Sequence, residues 1–319
     1  MMQDISAVIP CYNGEKFIET ALNSIAAQTY PVQEIIVVDD GSADDSIKRI
    51  ENWRDQHPSL KLEIIRQRNQ GVAVARNTGW KAASSTWIAF LDADDIWYPH
   101  HNEALLQAHV DKNSQLVFCD ADRAQQVGDQ ETALPTFFEI AGIQYAIDQE
   151  DQSHHIGGNV HHRLLAGSFL PICCNLVKKT ALEDIKGFEE GRAYGEDRQA
   201  WLKLFTLGPV NISKSIAGKQ LYHGSNATHS RHAAKELKAR LDLLNELIVN
   251  APMYKLGEAE LKIVRTSLNE TLADFKYTLS CKGLTDMRSE GPVLKRYGAQ
   301  YSLKDFARGL LHSLKMPGN

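Results

Sequence analysis

The 319-residue sequence has no run of about 18 consecutive apolar residues, which excludes a membrane-spanning helix built on hydropathy. Its opening, MMQDISAVIPCYN, has no basic leader and no cleavage site, and reads as a first strand. These two absences lead to the expectation of a cytoplasmic protein. Cysteine is scarce. Cys11, Cys119, Cys173, Cys174 and Cys281 form no CxxC pair and no even framework, so reduced and mostly buried thiols are expected. His154, His155, His161 and His162 lack the spacing of a structural zinc site, and no cysteine lies near them. No repeat of fixed period occurs. Positive charge is deficient in residues 1–229, where 20 Lys and Arg face 30 Asp and Glu. A balance of −10 disfavours nucleic-acid binding unless a metal intervenes.

Residues 230–319 reverse this balance, with 15 Lys and Arg against 10 Asp and Glu. The excess of +5 suits a solvated helical surface or an anionic face such as a membrane leaflet. With 43% hydrophobic and 24% charged residues, the whole chain can bury an ordinary globular core.

The first half alternates short apolar runs with helical patterns. Residues 5–10 form an apolar run before the turn signal Asn13-Gly14. Phe17, Ile18, Ala21, Leu22 and Ile25 then recur at helical spacing. Residues 35–38 are a β-branched run, as expected for a strand covered on both faces. After it, Ser42 with Asp45 suggests an N-cap for the next helix. Residues 62–65, 87–91 and 116–119 read as further strands and 72–83 as a helix. Such alternation implies a mostly parallel α/β sheet flanked by helices. Residues 122–163 read as insertion and loop, able to act as a lid. A helix opens at Gly195-Glu196-Asp197, with Trp201, Leu204 and Phe205 inward. From about residue 231 the pattern is helical, ending in an amphipathic segment over 301–315 with Phe306, Leu310, Leu311 and Leu314 inward. The expected organisation is a domain over 1–229, divided near residue 120, and a helical extension over 230–319.

Ligands on wound parallel sheets bind beyond the carboxyl ends of the strands. Asn13, Asp39-Asp40 and Asp92-Ala93-Asp94-Asp95 all fall there. Three carboxylates in DADD repel one another unless a cation sits among them, and their hard oxygens suit Mg²⁺ or Mn²⁺ with a substrate phosphate. Asp39 and Asp40 can accept hydrogen bonds from a base or a ribose, or simply shape a turn. Arg76 offers a guanidinium for phosphate or base, or a surface ion pair. Glu196 and Asp197 sit at a helix start, where the helix dipole favours the anion. His223, in a turn beyond Tyr222, has reach towards a metal or a phosphate.

In this order the segments AVIPCYNGEKFIETALNSIAAQTYP, EIIVVDDGSADDS, NQGVAVARNTGWKAA and WIAFLDADDIWYP resemble the family 2 glycosyltransferases, which have the GT-A fold. GSFLPICCNLVKKTALEDIKGFEE and GEDRQAWLKL are similar to that family's acceptor-side segment. The resemblance covers roughly residues 4–225. It implies an inverting transfer of a sugar from a nucleoside diphosphate, a UDP-sugar in the family's pattern, to an acceptor hydroxyl in bacterial cell-surface polysaccharide or lipopolysaccharide synthesis. By position, Pro10, Tyr12 and Asn13 frame the nucleotide, with Tyr12 near the base. Asp39 and Asp40 bind base or ribose, Arg76 contacts the nucleotide, and Asp92 and Ala93 border the donor. Asp92 and Asp94 match the DXD metal motif for Mn²⁺ or Mg²⁺, with Asp95 as an alternative ligand and His223 as a further one. Asp197 matches the general base, with Glu196 and Trp201 on the acceptor side. Two departures stand out: Arg198-Gln199-Ala200-Trp201 follows the acidic pair, and no basic residue precedes Tyr222-His223. The partners implied are a nucleotide-sugar donor and a glycan or lipid-linked acceptor, with peripheral contact at the inner membrane face or a homodimer open to residues 230–319. Two other readings are a sugar nucleotidyltransferase, whose Gly-rich basic loop is poorly matched by PCYNGEK, and a non-catalytic nucleotide-sugar or glycan-binding module.

Overall fold

The computed structural model describes residues 4–109, 113–128, 130–142, 159–192, 194–224 and 233–315. The chain order is β1 (Ile5–Cys11), α1 (Ile18–Ala26), β2 (Glu34–Asp39), α2 (Ser46–Gln56), β3 (Leu62–Arg66), α3 (Val72–Ala82), β4 (Trp87–Phe90), β5 (Ile96–Trp97), α4 (His101–Ala108), β6 (Leu116–Val127), β7 (Gln130–Leu134), α5 (Phe137–Ile140), α6 (Asn159–Ala166), β8 (Asn175–Lys178), α7 (Lys179–Ile185), α8 (Glu196–Phe205), β9 (Val210–Tyr222), α9 (Ala233–Val249), α10 (Glu258–Lys282), α11 (Leu284–Ser289), α12 (Gly291–Arg296) and α13 (Leu303–Lys315). Two compact units emerge. One comprises Met1–Arg192 with Glu196–His223, the other Ala193–Gly195 with Gly224–Asn319.

The first unit is an α/β sheet in the order β3-β2-β1-β4-β8-β6-β9-β5, with β7 hydrogen-bonded to β6. Strands β3, β2, β1 and β4 run parallel. β8 joins β4 and β6 antiparallel, and β9 lies parallel to β6 but antiparallel to β5. All residues of β1, β2 and β4 are buried, which explains their mostly apolar composition, and the polar Ser6 and Glu34 among them hydrogen-bond to each other. Helix α3 lies close against β1. A methyl group on Gly79 would come 2.4 Å from Val8 Cγ1, so only glycine permits this approach.

Three adjacent strands, β2, β1 and β4, end at one rim, just before Asp40, Tyr12-Asn13 and Asp92. The antiparallel β5–β9 pairing, with Ile96 opposite Lys219 and Trp97 opposite Gly218, carries the end of β9 back to the same rim.

Some local expectations require correction. Helix α2 begins at Ser46, and Ser42 does not cap it. Ser42 Oγ instead accepts the Asn13 amide at 2.9 Å, because the loops after β1 and β2 meet there. Residues 122–142 are not a loop: they hold most of a β6–β7 hairpin and the short, box-capped helix α5. Residues 143–158 lie outside the described residues.

In the second unit, Leu241, Leu272, Phe275, Leu279, Met287 and Leu294 form the core. The expected inward face of α13 is reversed. Phe306, Leu310 and Leu311 are at least half exposed, while Asp305 and Gly309 are buried. The Leu314 side chain lies outside the described residues. Among the described residues, no helix is long and apolar enough to cross a membrane. The five cysteines are free, and all but Cys281 are buried.

Candidate active site

Arg76, on α3, is buried and spans two acids from distant parts of the chain. Its Nη1 donates to Glu196 Oε1 at 2.6 Å, and its Nη2 to both oxygens of Asp92 at 2.8 and 3.1 Å. A guanidinium with both terminal nitrogens on carboxylates holds those acids in place and offers little to a nucleotide. The free contact expected of Arg76 is therefore replaced by a clamp between the rim after β4 and the start of α8. The neighbouring Asn77 reinforces the junction. Its Oδ1 accepts the Phe188 amide at 2.9 Å and its Nδ2 donates to the Phe188 carbonyl at 2.8 Å.

The clamp brings Asp197 into the field of the rim acids. Burial, followed by the charge of Glu196, pushes its carboxyl up to about 7 despite the lowering influence of Arg76. Asp197 Oδ1 also accepts the Arg198 amide at 2.6 Å. As a residue Asp197 is intermediate in exposure, between the buried Glu196 and Arg198. Burial likewise raises Asp92, with Arg76 opposing and Asp94 and Glu196 adding to the shift.

Asp94 and His223 meet across the rim. Asp94 Oδ2 lies 3.1 Å from His223 Nε2, and the imidazole stacks on Phe17 with ring centroids 4.4 Å apart. Neighbouring ligands of an octahedral cation at about 2.1 Å lie about 3.0 Å from each other. The 3.1 Å separation is that of a hydrogen bond or ion pair and is also compatible with two ligands of one cation; Asp92 stands two residues away along the chain. Asp95 differs. It is buried, its Oδ1 accepts the Leu221 amide at 3.2 Å, and burial raises its carboxyl well above the usual range. Its position fixes β9 against the DADD turn. Ala93 packs at the edge of the sheet core.

On the nucleotide side, Asp40 is fully engaged. Oδ1 accepts from Gln67 Nε2 and the Gln70 amide, and Oδ2 from the Gly71 amide, all within 2.9 Å. It anchors the loop into α3. Asp39 Oδ1 accepts the Ser42 amide at 3.2 Å. Asn13 takes a left-handed backbone at φ 52° and accepts the Ala43 amide at 2.8 Å. Tyr12 is 54% exposed, leaving its ring open to stack on a base. Pro10 is buried in β1 beside Val38 and supports this turn from beneath.

Trp201 is not at the acceptor side. It is fully buried, edge-on to Phe118 at 5.3 Å, because its turn of α8 faces the sheet. Glu196 is buried at the clamp. Phe17, read from the sequence as a helix-face residue, is the platform for His223, and only its proximity in space reveals that. His101, Cys119 and Cys174 also bring donor atoms within 4.8 Å of one another, deep in the core. Burial lowers His101 to about 4 and raises the Cys174 thiol, while His101 stacks on Trp97 at 4.2 Å. This is core packing with soft donors, unlike the hard oxygen site that Mg²⁺ or Mn²⁺ and a diphosphate require.

Known proteins resemble this chain. The uncharacterized glycosyltransferase YibD of Escherichia coli is 33% identical over 133 residues, which are 41% of this chain. That match covers 38% of YibD, so the chain spans well under half of that relative's length. The Escherichia coli UDP-Glc:alpha-D-GlcNAc-diphosphoundecaprenol beta-1,3-glucosyltransferase WfgD is 27% identical over 77% of this chain and 87% of its own. Among solved structures, the mannosyltransferase PcManGT of Pyrobaculum calidifontis, in complex with GDP-Man and Mn²⁺, superposes with a TM-score of 0.62 at 17% identity. That alignment covers 99% of this chain and 87% of PcManGT. The likeness establishes the GT-A fold. The family model Glycosyl transferase family 2 matches residues 6–170, just over half of the sequence, and its span includes the strand-end acids and the clamp arginine. The chain belongs to glycosyl transferase family 2.

Proposed function

We propose that this protein is an inverting glycosyltransferase that moves a sugar from a nucleoside diphosphate to a hydroxyl of a bacterial glycan precursor. The observation that carries the reading is the Asp92–Arg76–Glu196 clamp, which ties the acidic rim to the helix bearing Asp197. Asp197 is the general base. It is intermediate in exposure, and its carboxyl is pushed up to about 7, near neutral pH, where a base both ionises and accepts protons effectively.

The acceptor oxygen attacks the anomeric carbon as the bond to the diphosphate oxygen breaks, and the hydroxyl proton passes to Asp197. Asp94 and His223, with Asp92 beside them, are the residues that would hold a divalent cation. When bound, that cation supplies charge neutralisation for the departing diphosphate. Tyr12 stacks on the base, and Asp39 and the Asn13 turn face the ribose. Arg76 acts at one remove, as a positioning residue. The clamp keeps base and leaving group in register, which is where much of the rate of such a displacement originates.

WfgD's UDP-glucose and diphosphoundecaprenol-linked acceptor support a UDP-sugar donor and a lipid-diphosphate-linked acceptor here. PcManGT's Mn²⁺ supports Mn²⁺ as the cation. Calorimetry with UDP- and GDP-sugars, with and without Mn²⁺, tests the donor. Product analysis with Asp197→Asn tests the chemistry. Tight donor binding with no transfer in the variant is the expected result, and unchanged turnover would refute the base.

A further inference from the structure

Surface helices ordinarily bury their apolar stripe and expose their polar one. Helix α13 does the opposite. Leu303 is 89% exposed, Phe306 and Leu310 50%, and Leu311 59%. At i, i+3 and i+7, Leu303, Phe306 and Leu310 line one side of the helix, and Leu311 widens it.

The inner side is polar and small. Asp305 accepts from the Ser302 amide and hydroxyl at 2.8 Å. Arg308 donates to Ser280 Oγ at 2.6 Å and lies 4.5 Å over the Tyr277 ring. Gly309 fits where a side chain would not: a methyl group there would come 2.4 Å from Met287 Sδ. The seating is specific, since rotating the helix to bury its leucines would drive one into the Gly309 contact. The apolar stripe is thus held outward by the packing beneath it.

The surroundings indicate what meets this stripe. Phe306 is shared with a groove of about 320 Å³ lined also by Leu284, Met287, Tyr301 and Arg288. Lys304 flanks the stripe and Arg288 the groove, both exposed, and residues 230–319 carry a net +5. A second copy of this surface would bring like charges together. An anionic lipid surface satisfies both the exposed apolar side chains and the cations beside them.

We propose that the outward face of α13 is a membrane-contact surface, with Leu303, Phe306, Leu310 and Leu311 entering the headgroup boundary of an anionic leaflet and the exposed Lys304 and Arg288 meeting its phosphates. This goes beyond the reaction proposed above and does not depend on it, because the test reads binding and not turnover.

The test is cosedimentation of the full chain with vesicles containing phosphatidylglycerol, compared with phosphatidylcholine alone. The wild-type protein should bind the anionic vesicles, and added salt should weaken that binding. Leu310→Asp with Leu311→Asp should reduce it at least tenfold. Lys304→Gln should reduce it about fivefold, the share of one basic residue near such a surface. Thermal melting verifies that the variants fold, and Leu303→Asp serves if the double variant does not. No preference for anionic vesicles, or leucine variants that bind as the wild type does, would overturn the proposal. So would light scattering that shows a dimer which the leucine variants dissociate, since the face would then belong to a second copy.

Discussion

Arg76 and Glu196, 120 residues apart in sequence, are joined by a buried 2.6 Å hydrogen bond, and the other end of the same guanidinium holds Asp92. Everything proposed for this site depends on that junction. It connects the motif proposed to face the diphosphate to the helix that carries the proposed base.

Replacing Arg76 with Met should therefore cost more than a surface ion pair would. Removing one partner of a buried charge cluster leaves the others uncompensated, at about 3–5 kcal/mol. Urea denaturation should show a loss of that order. Arg76→Lys should recover only part of it, because an ammonium cannot span both carboxylates in the planar fork.

Asp197→Asn should lower the rate of transfer about 10²–10⁴-fold with donor affinity near wild type. The pH profile carries a further signature. The base must be ionised, so kcat/KM of the free enzyme should fall as pH drops through about 7. The stability effect has the opposite sense. A carboxyl raised from 3.8 to about 7 in the folded state makes ionisation unfavourable there. The Asn variant should equal the wild type in stability below pH 4 and exceed it increasingly up to pH 7, as thermal melts across that range would show.

Chelation should abolish transfer, and Mn²⁺ should restore it. His223→Ala should raise the Mn²⁺ concentration needed for half-maximal activity at least tenfold, and Asp94→Asn should do so more severely, because it removes a charged ligand. Asp95→Asn should leave the metal requirement largely unchanged and stability near neutral pH unreduced, since the amide oxygen still accepts the Leu221 N–H and burial already disfavours the charge. Activity titrations with Mn²⁺ and melting curves check both.

Gly79→Ala should destabilise the first unit by about 1–3 kcal/mol, because its methyl group would meet Val8 2.4 Å away on the central strand. Chemical denaturation measures this directly.

At the opposite end of the sheet, Glu34 is buried, which alone would raise its pKa. Bonds from Lys61, Ser84 and Ser6 outweigh that and lower it to about 2. A lowered carboxyl contributes stability that is present above about pH 4.5 and lost as pH falls towards 2. Glu34→Gln should flatten acid unfolding over that interval.

Much of this was legible in the sequence. The strands β1, β2 and β4 announce themselves as mostly apolar runs, and the acids after them fall at the strand ends that topology brings together. What local pattern did not convey was which acids are engaged. Asp39-Asp40 and Asp92–Asp95 look alike as text. Yet Asp40 is saturated by a loop and Asp95 is buried beneath β9, while Asp94 meets His223. Those distinctions come from contacts between residues 27 to 129 positions apart. The family resemblance puts Trp201 on the acceptor side, whereas its helical phase, readable in the sequence as an inward face, sets it in the core. Helix α13 is the reverse case. Amphipathicity identifies two faces, but only the Gly309–Met287 approach reveals which of them packs.

The antiparallel pairing of Ile96 with Lys219 and Trp97 with Gly218 has one more implication. His223 owes its place opposite Asp94 to the count of residues along β9, and side chains on a strand alternate between faces. Inserting or deleting a single residue between Lys219 and Tyr222, where β9 pairs with β6 without a bulge, would reverse that alternation at the strand's end. The chain would keep every proposed ligand in its sequence and lose the cation site by misalignment.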